Sequence, residues 1–285
     1  MFRARGSRDA VASGTRLRTF DMPDLYSTIA DVPVKTQELL GDALTIRAND
    51  PQMIDMRRRY FDWLDVEPGA RVLEIGSGTG HVIADLVQTT GAGCAVGLDP
   101  SPALINRAVS RFGDIENLSF VTGDGRSTGF ADQEFDLVVF HTTLCHIPEP
   151  AKALREAFRL LKPGGQIVVF DGDYAANTTA LGDLDPLQAC LEQVAANLIH
   201  DKWLCRTLTH RLEESGFKVG RRDAHPYFAD GDAAYFLTLI SRGAEFMVSD
   251  GLLGPEGRDM LIDEARARIK ALRTAPFSDQ SCSCR

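Results

Sequence analysis

The stretch RVLEIGSGTG, residues 71–80, joins a short aliphatic run to three glycines at alternate positions, Gly76, Gly78 and Gly80. Val72, Leu73 and Ile75 are the residue types that fill a strand buried on both faces. Glycines placed directly after such a strand, with a helical pattern following, mark a turn where the backbone must bend sharply or approach a ligand closely. The helix that opens there presents unpaired N–H groups. A plain strand-to-helix turn gives the same pattern, so this stretch alone only raises the question of a nucleotide-like ligand. The dinucleotide fingerprint GxGxxG requires glycine at the sixth position from Gly76. His81 stands there, and the third glycine is displaced by one, to Gly80.

Outward from this turn, short β-branched runs alternate with longer helical stretches, the pattern of βαβ units in a parallel sheet. Strands are expected at 71–75, 94–98, 118–121, 135–140 and 166–170, with helices at 79–90, 101–112 and 150–161 between them. The sequence KPGG at 162–165 reads as a helix stop and turn. Helical segments at 184–199 and 204–215 precede GFKVGRRDA (216–224), a candidate sixth strand, and further helices are expected at 233–249 and 255–273. The alternating SDQSCSC (278–284) is a candidate seventh strand. Ahead of the first strand, Met53, Met56, Tyr60, Trp63 and Leu64 form one helical stripe. The chain thus divides into a basic, disordered-type arm (1–20), an N-terminal helical cap (21–66) and one α/β domain (67–285) with a helical insertion at about 224–275.

An excess of 40 acidic over 31 basic residues, net charge −9, argues against nucleic acid or an anionic membrane as the main partner and favours a small-molecule substrate. No apolar run approaches the roughly 18 residues of a membrane span, so a soluble cytoplasmic protein is expected. The six cysteines lack a CxxC pair and read as reduced thiols, with no metal site expected and Cys282 and Cys284 as filler on a last strand. Oligomeric state stays open, a homodimer among the alternatives.

The second strand ends in GLDP, leaving Asp99 at the carboxyl edge of the sheet, where an acid accepts from vicinal ribose hydroxyls in more than one cofactor family. The third ends in TGDG, placing Asp124 beside Gly125 at the same edge. EIGSGTG, GLDPSP and GDG, in this order, resemble the adenosylmethionine-binding motifs of class I methyltransferases. FDLVVFHTTLCHIPEPAKALREAFRLLKPGGQIVVFD is similar to the later motifs of the small-molecule branch, including the ubiquinone and menaquinone methyltransferases. The resemblance runs from about residue 67 to 224. It implies a doubly wound, mostly parallel seven-stranded α/β sheet of order 3-2-1-4-5-7-6, capped by the N-terminal helices and the insertion. It further implies S-adenosylmethionine as cofactor. Glu74, Gly76, Ser77 and Gly78 would border the methionine moiety, Asp99 and Pro100 the ribose, Asp124 and Gly125 the adenine, and His141 the methionine part.

A sulfonium methyl is already activated, so the protein must mainly align the acceptor in line and exclude water, adding a base only where the acceptor loses a proton. His146, His141 and Asp171 are the candidates, because FHTTLCH and VVFDGDY both open at the strand ends. Asp171 and Asp173 read equally well as turn residues. Arg57–Arg59 reads as a solvated helix face, while Tyr26, Arg47, Tyr174, Tyr227 and Phe228 fall in segments that should cover the cleft. HTTL replaces the NPPY-like motif of base-amino methylation, and no Pro-Cys pair serves cytosine methylation. Rival readings are a methyltransferase-fold cyclase, rearrangement enzyme or non-catalytic subunit, an arsenite methyltransferase using Cys145, Cys190 and Cys205, and an NAD-dependent oxidoreductase.

Overall fold

The computed structural model describes residues 24–228 and 233–274. Two helices, α1 (Val34–Ala48) and α2 (Pro51–Phe61), precede the sheet. The Asp50 side chain accepts from the backbone N–H of Gln52 and Met53, and Pro51 occupies the first helical position, so the start of α2 is set locally. The sheet then alternates strand and helix: β1 (Arg71–Ile75), α3 (His81–Thr90), β2 (Cys94–Asp99), α4 (Pro102–Phe112), β3 (Leu118–Thr122), β4 (Phe135–His141), α5 (Pro150–Leu160) and β5 (Leu161–Phe170). Five strands lie in the order β3-β2-β1-β4-β5, all parallel.

The pleat sends alternate residues to opposite faces. Leu73, Ile75, Val138 and Phe140 pack against α5 and Leu204, while Val72, Leu137 and Val139 pack against Tyr60 and Phe61 of α2 and Ile83 and Leu86 of α3. Each of these side chains is almost wholly buried, worth about 1.5–3 kcal/mol apiece. Helix α2 is thereby part of the main core.

Two expectations need correction. The residues KPGG do not lie between α5 and a strand starting at Gln166. Leu161 already pairs with Phe135, and Gln166 pairs with Leu137, so the sequence bulges out of a strand begun five residues earlier. Residues 216–224 form no strand: two glycines and a run of cations leave only Phe217 and Val219 to face a core, and Arg221 instead stacks 3.9 Å over the Trp63 ring. The described sheet therefore has five strands, and the expected seventh, 278–284, lies outside the described residues, as does the basic arm.

A second helical layer comprises α6 (Pro186–Leu198), α8 (Ala234–Ser249) and α9 (Pro255–Thr274), while α7 (Leu204–Glu214) packs beside α5 on the main core. Leu187, Cys190 and Leu191 of α6 pack with Ile240 and Ala244 of α8 and Leu261 and Ala265 of α9 in a separate apolar cluster. Arg242 of α8 reaches back to donate to the Leu39 carbonyl at 3.1 Å and the Tyr26 hydroxyl at 3.4 Å. The segment before α8 ties to α2, where Gln52 exchanges two hydrogen bonds with the Phe228 backbone and the Tyr227 hydroxyl donates to Asp50. Among the described residues no helix is long and apolar enough to cross a membrane.

Candidate functional site

The carboxyl ends of β1, β2 and β4 open into one cleft. Gly76 turns the chain out of β1 with φ of +76°, and its N–H and that of Ser77 donate to the Leu98 carbonyl at 2.7 and 3.0 Å. A Cβ on Gly76 would stand 2.1 Å from Thr143 Cγ2, so no other residue fits. The Thr143 hydroxyl lies 3.2 Å from the Gly76 carbonyl and 3.1 Å from that of His141, tying the loop after β4 to the glycine turn. Gly125 forms a similar cradle: its Cβ would fall 2.3 Å from Ile75 Cγ2.

Three carboxylates line this cleft in different electrostatic states. Glu74 is 1% exposed and its Oε2 has no partner. Burial pushes its carboxyl up to about 8, against the pull of an Ile83 backbone hydrogen bond, and the nearby Asp99 charge adds to the rise. Asp99 is also raised by burial, to about 6, opposed by hydrogen bonds from the Ser101 and Gly78 N–H groups, each at 2.9 Å. Asp124 is held low by a forked pairing with the Arg126 guanidinium. Glu74 is thus an acid awaiting a cation, and Asp99 a braced acceptor.

The loop after β4 carries two histidines in unlike settings. Burial, with Arg47 and Arg57 adding to it, holds His141 well below the ordinary histidine range, so the ring is neutral. It stacks on Phe170 with centroids 4.8 Å apart and its Nδ1 lies 2.9 Å from the Tyr60 hydroxyl. His146 Nδ1 lies 2.8 Å from Oδ2 of Asp24, a side chain only 2% exposed. A carboxylate can only accept, so Nδ1 carries a proton in this pair. Asp24 is itself held by N–H groups of Tyr26 (2.8 Å) and His200 (3.0 Å).

Glu74, Gly76, Ser77, Gly78, Asp99, Pro100, Asp124, Gly125, His141 and His146 all line the cleft. Asp171 does not: its carboxylate accepts from the N–H groups of Cys145 (3.1 Å) and Gly172 (2.9 Å), holding the β4 loop from outside it. Asp173 lies beside Arg206 instead. Tyr26 and Arg47 reach the cleft, whereas Tyr227 and Phe228 fasten to α2. Arg57 corrects the solvated-face reading: it is buried, donating to Asp85 and the Ala48 carbonyl at 2.6 Å each, and only Arg58 and Arg59 face solvent. Asp24 and Tyr60 went unnoticed in the sequence as site residues, because their partners lie 122 and 81 positions away. Cys145 and Cys190 sit in different apolar clusters, and among the described residues no three His, Cys, Asp or Glu side chains gather as metal ligands.

The cleft fits an adenosylmethionine-type ligand on its own features. The unpartnered Glu74 Oε2 suits a cationic group, the unpartnered Ser77 Oγ offers a further polar contact, and the Gly76 and Gly125 cradles admit close backbone approach.

Residues 73–169 match the family described as "Methyltransferase domain". A demethylmenaquinone methyltransferase of Renibacterium salmoninarum is 33% identical over 148 residues, covering 52% of this chain and 58% of the relative. The "Uncharacterized 37.1 kDa protein in transposon TN4556" of Streptomyces fradiae is 28% identical over 205 residues, 70% of this chain and 59% of the relative. The chain therefore spans somewhat over half the length of these curated relatives. In fold it is similar to an Anabaena variabilis protein assigned as a methyltransferase of an antibiotic biosynthesis pathway, with a TM-score of 0.56 at 18% identity, covering 79% of this chain and 88% of the other. The five motifs in order and the match of residues 73–169 to a methyltransferase domain make this α/β region similar to the class I S-adenosylmethionine-dependent methyltransferases.

Proposed function

We propose that this protein transfers the methyl group of S-adenosylmethionine to a small-molecule acceptor by in-line displacement, with His146 as the base that takes the acceptor's proton. The observation that carries the reading is the His146–Asp24 pair at the rim of a cleft that also holds the glycine turn, Glu74 and Asp99. The cofactor, when bound, supplies an electrophilic methyl on a sulfonium. The protein's own work is binding, alignment and proton removal.

In this reading Glu74 faces the positive methionine part, where a nearby cation draws its carboxyl down into the ionised form. Asp99 keeps its backbone N–H bonds and uses its remaining lone pairs for the ribose hydroxyls. Gly125 clears space for the adenine, and Asp124 engages its amino group by loosening from Arg126. His141, neutral and stacked on Phe170, borders the methionine chain. The acceptor's proton passes to His146 Nε2, and Asp24 stabilises the resulting imidazolium through Nδ1–H. Asp171 positions the loop that carries His146. Helices α1 and α2 wall one side of the cleft with Leu44, Arg47, Met53 and Arg57 and exclude water there.

The acidic net charge and the absence of an NPPY-like stretch favour a small acceptor over nucleic acid. Similarity to demethylmenaquinone methyltransferases makes quinol-like and other protic ring compounds the first acceptors to screen. The test is calorimetric titration with S-adenosylmethionine, S-adenosylhomocysteine and NADH, repeated on Asp99→Ala, followed by a mass-spectrometric screen for methylated products. Saturable binding of the two sulfur nucleosides, weakened by Asp99→Ala, with a product 14 mass units (about one CH2) heavier supports the reading. NADH binding, or a rearranged product of unchanged mass, overturns it.

A further inference from the structure

Arg47, in the last turn of α1, lines the cleft, and among the described residues no ion pair neutralises its charge. Its Nε is sealed from solvent without a hydrogen-bond partner, and among the described residues no carboxylate pairs with it. The two other arginines of the cleft wall are both satisfied: Arg57 by Asp85 and the Ala48 carbonyl, Arg126 by Asp124. The guanidinium carbon of Arg47 lies 5.6 Å from the centre of the Tyr235 ring. A ring face attracts a cation but accepts none of its five N–H donors in the fork geometry that guanidinium offers. That fork matches two oxygens of a carboxylate or phosphate.

Position tells which ligand would bring those oxygens. Tyr235, Tyr174, Asp171 and Cys145 feel the Arg47 charge, and so does His141 at the start of the loop that carries His146. Cys145 is the neighbour of His146 in the chain, and Asp171 holds the Cys145 N–H. Tyr26, whose ring lies 4.8 Å from that of His146, is also within reach of the Arg47 field. The cation beside Glu74, at the glycine-turn end, is Arg57. Arg47 therefore belongs to the end of the cleft where the base sits.

We propose that Arg47 is an oxyanion subsite for the methyl acceptor, so that the acceptor carries a carboxylate, phosphate or comparable oxyanion near the atom His146 deprotonates. This rests on the methyl-transfer reading above. The same oxyanion chemistry has a second source, the carboxylate of the cofactor's own methionine part, and the experiment separates the two.

The readout is the Arg47 Nε–H resonance of nitrogen-15-labelled protein, identified by its loss in Arg47→Lys. S-adenosylhomocysteine is first added and its binding checked by calorimetry; acetate, inorganic phosphate and neutral acetamide are then titrated into the complex. Acetate and phosphate are expected to move the resonance saturably and acetamide not, with the acetate binding heat lost in Arg47→Gln. A resonance indifferent to both anions overturns the proposal. So does a shift already complete with S-adenosylhomocysteine and missing with its decarboxylated analogue, which assigns Arg47 to the cofactor. Absence of S-adenosylhomocysteine binding counts against the methyl-transfer reading instead, and the anion titration on the free protein then judges the subsite by the same criterion.

Discussion

Asp24 and His146 meet through a 2.8 Å hydrogen bond although 122 positions separate them, and the carboxylate is almost completely shielded. A buried acceptor of this kind fixes which imidazole nitrogen carries the proton. Asp24→Asn keeps the shape and removes the charge, leaving the Tyr26 N–H a carbonyl oxygen to donate to. We expect nitrogen NMR of the His146 ring to show the Nδ1-protonated tautomer in the parent protein and a mixture in the variant. Turnover of the acceptor found by the product screen should fall about 100-fold or more. Unchanged S-adenosylhomocysteine affinity would separate this from a general loss of the site.

Glu74 gives a proton-linkage prediction. Its carboxyl, raised to about 8, is mostly protonated at pH 7 in the free protein. A cationic ligand lowers that value, so binding should release close to one proton near pH 7. Calorimetry in buffers of different ionisation enthalpy measures the release. Glu74→Gln should abolish it, and proton uptake in the parent would contradict the assignment.

Asp99 acts on stability in the opposite sense from a salt-bridged aspartate. Its folded value of about 6 lies above the ordinary aspartate range near 4. The folded state therefore binds the proton more tightly than the unfolded chain. Its contribution is fully present below about pH 4 and is lost as pH rises through about 6. Comparing urea midpoints of the parent and Asp99→Asn between these limits should show the parent losing stability relative to the variant as pH rises. The proposed ribose contact of Asp99 needs the ionised form, so S-adenosylhomocysteine affinity should fall as pH drops below about 6.

Gly76→Ala tests the glycine cradle. The new Cβ would meet Thr143 at 2.1 Å on a backbone with φ of +76°, so contact and conformation both oppose it. A loss of about 2–4 kcal/mol in chemical denaturation, with S-adenosylhomocysteine binding impaired, is expected. Removing the Thr143 side chain in the same protein should recover the steric part and leave the conformational part.

The buried Arg57–Asp85 pair joins α2 to α3 at 2.6 Å, with side chains 8% and 14% exposed. Arg57→Ala leaves Asp85 short of its main partner and should cost about 3–5 kcal/mol. A double-mutant cycle with Asp85→Ala should give a coupling of about 0.5–3 kcal/mol, and additive losses would show the pair to be incidental.

Elements whose signals are local could be read directly from the residues. Val72 to Ile75 against the glycines after them, Ser101 and Pro102 opening α4, and the alternation of aliphatic runs with helical stripes all act within a few residues, and β1 to β4 and their helices lie where those signals put them. The motifs were legible for the same reason: Glu74, Asp99 and Asp124 each stand at a strand end, and parallel strands bring all such ends to one edge. Pairing across long separations emerges only in the folded chain. Residues 216–224 carry enough alternation to suggest a strand, yet Arg221 found Trp63 and no ladder formed. Arg57 looks like its neighbours Arg58 and Arg59 in sequence, and burial against Asp85 sets it apart. Asp24 and Arg47 lie far from any motif; one acquires its meaning from His146, the other from the want of a partner in the folded cleft. Local signals specify elements because they act through a few neighbouring bonds, whereas a charged group's role depends on which distant groups burial leaves beside it.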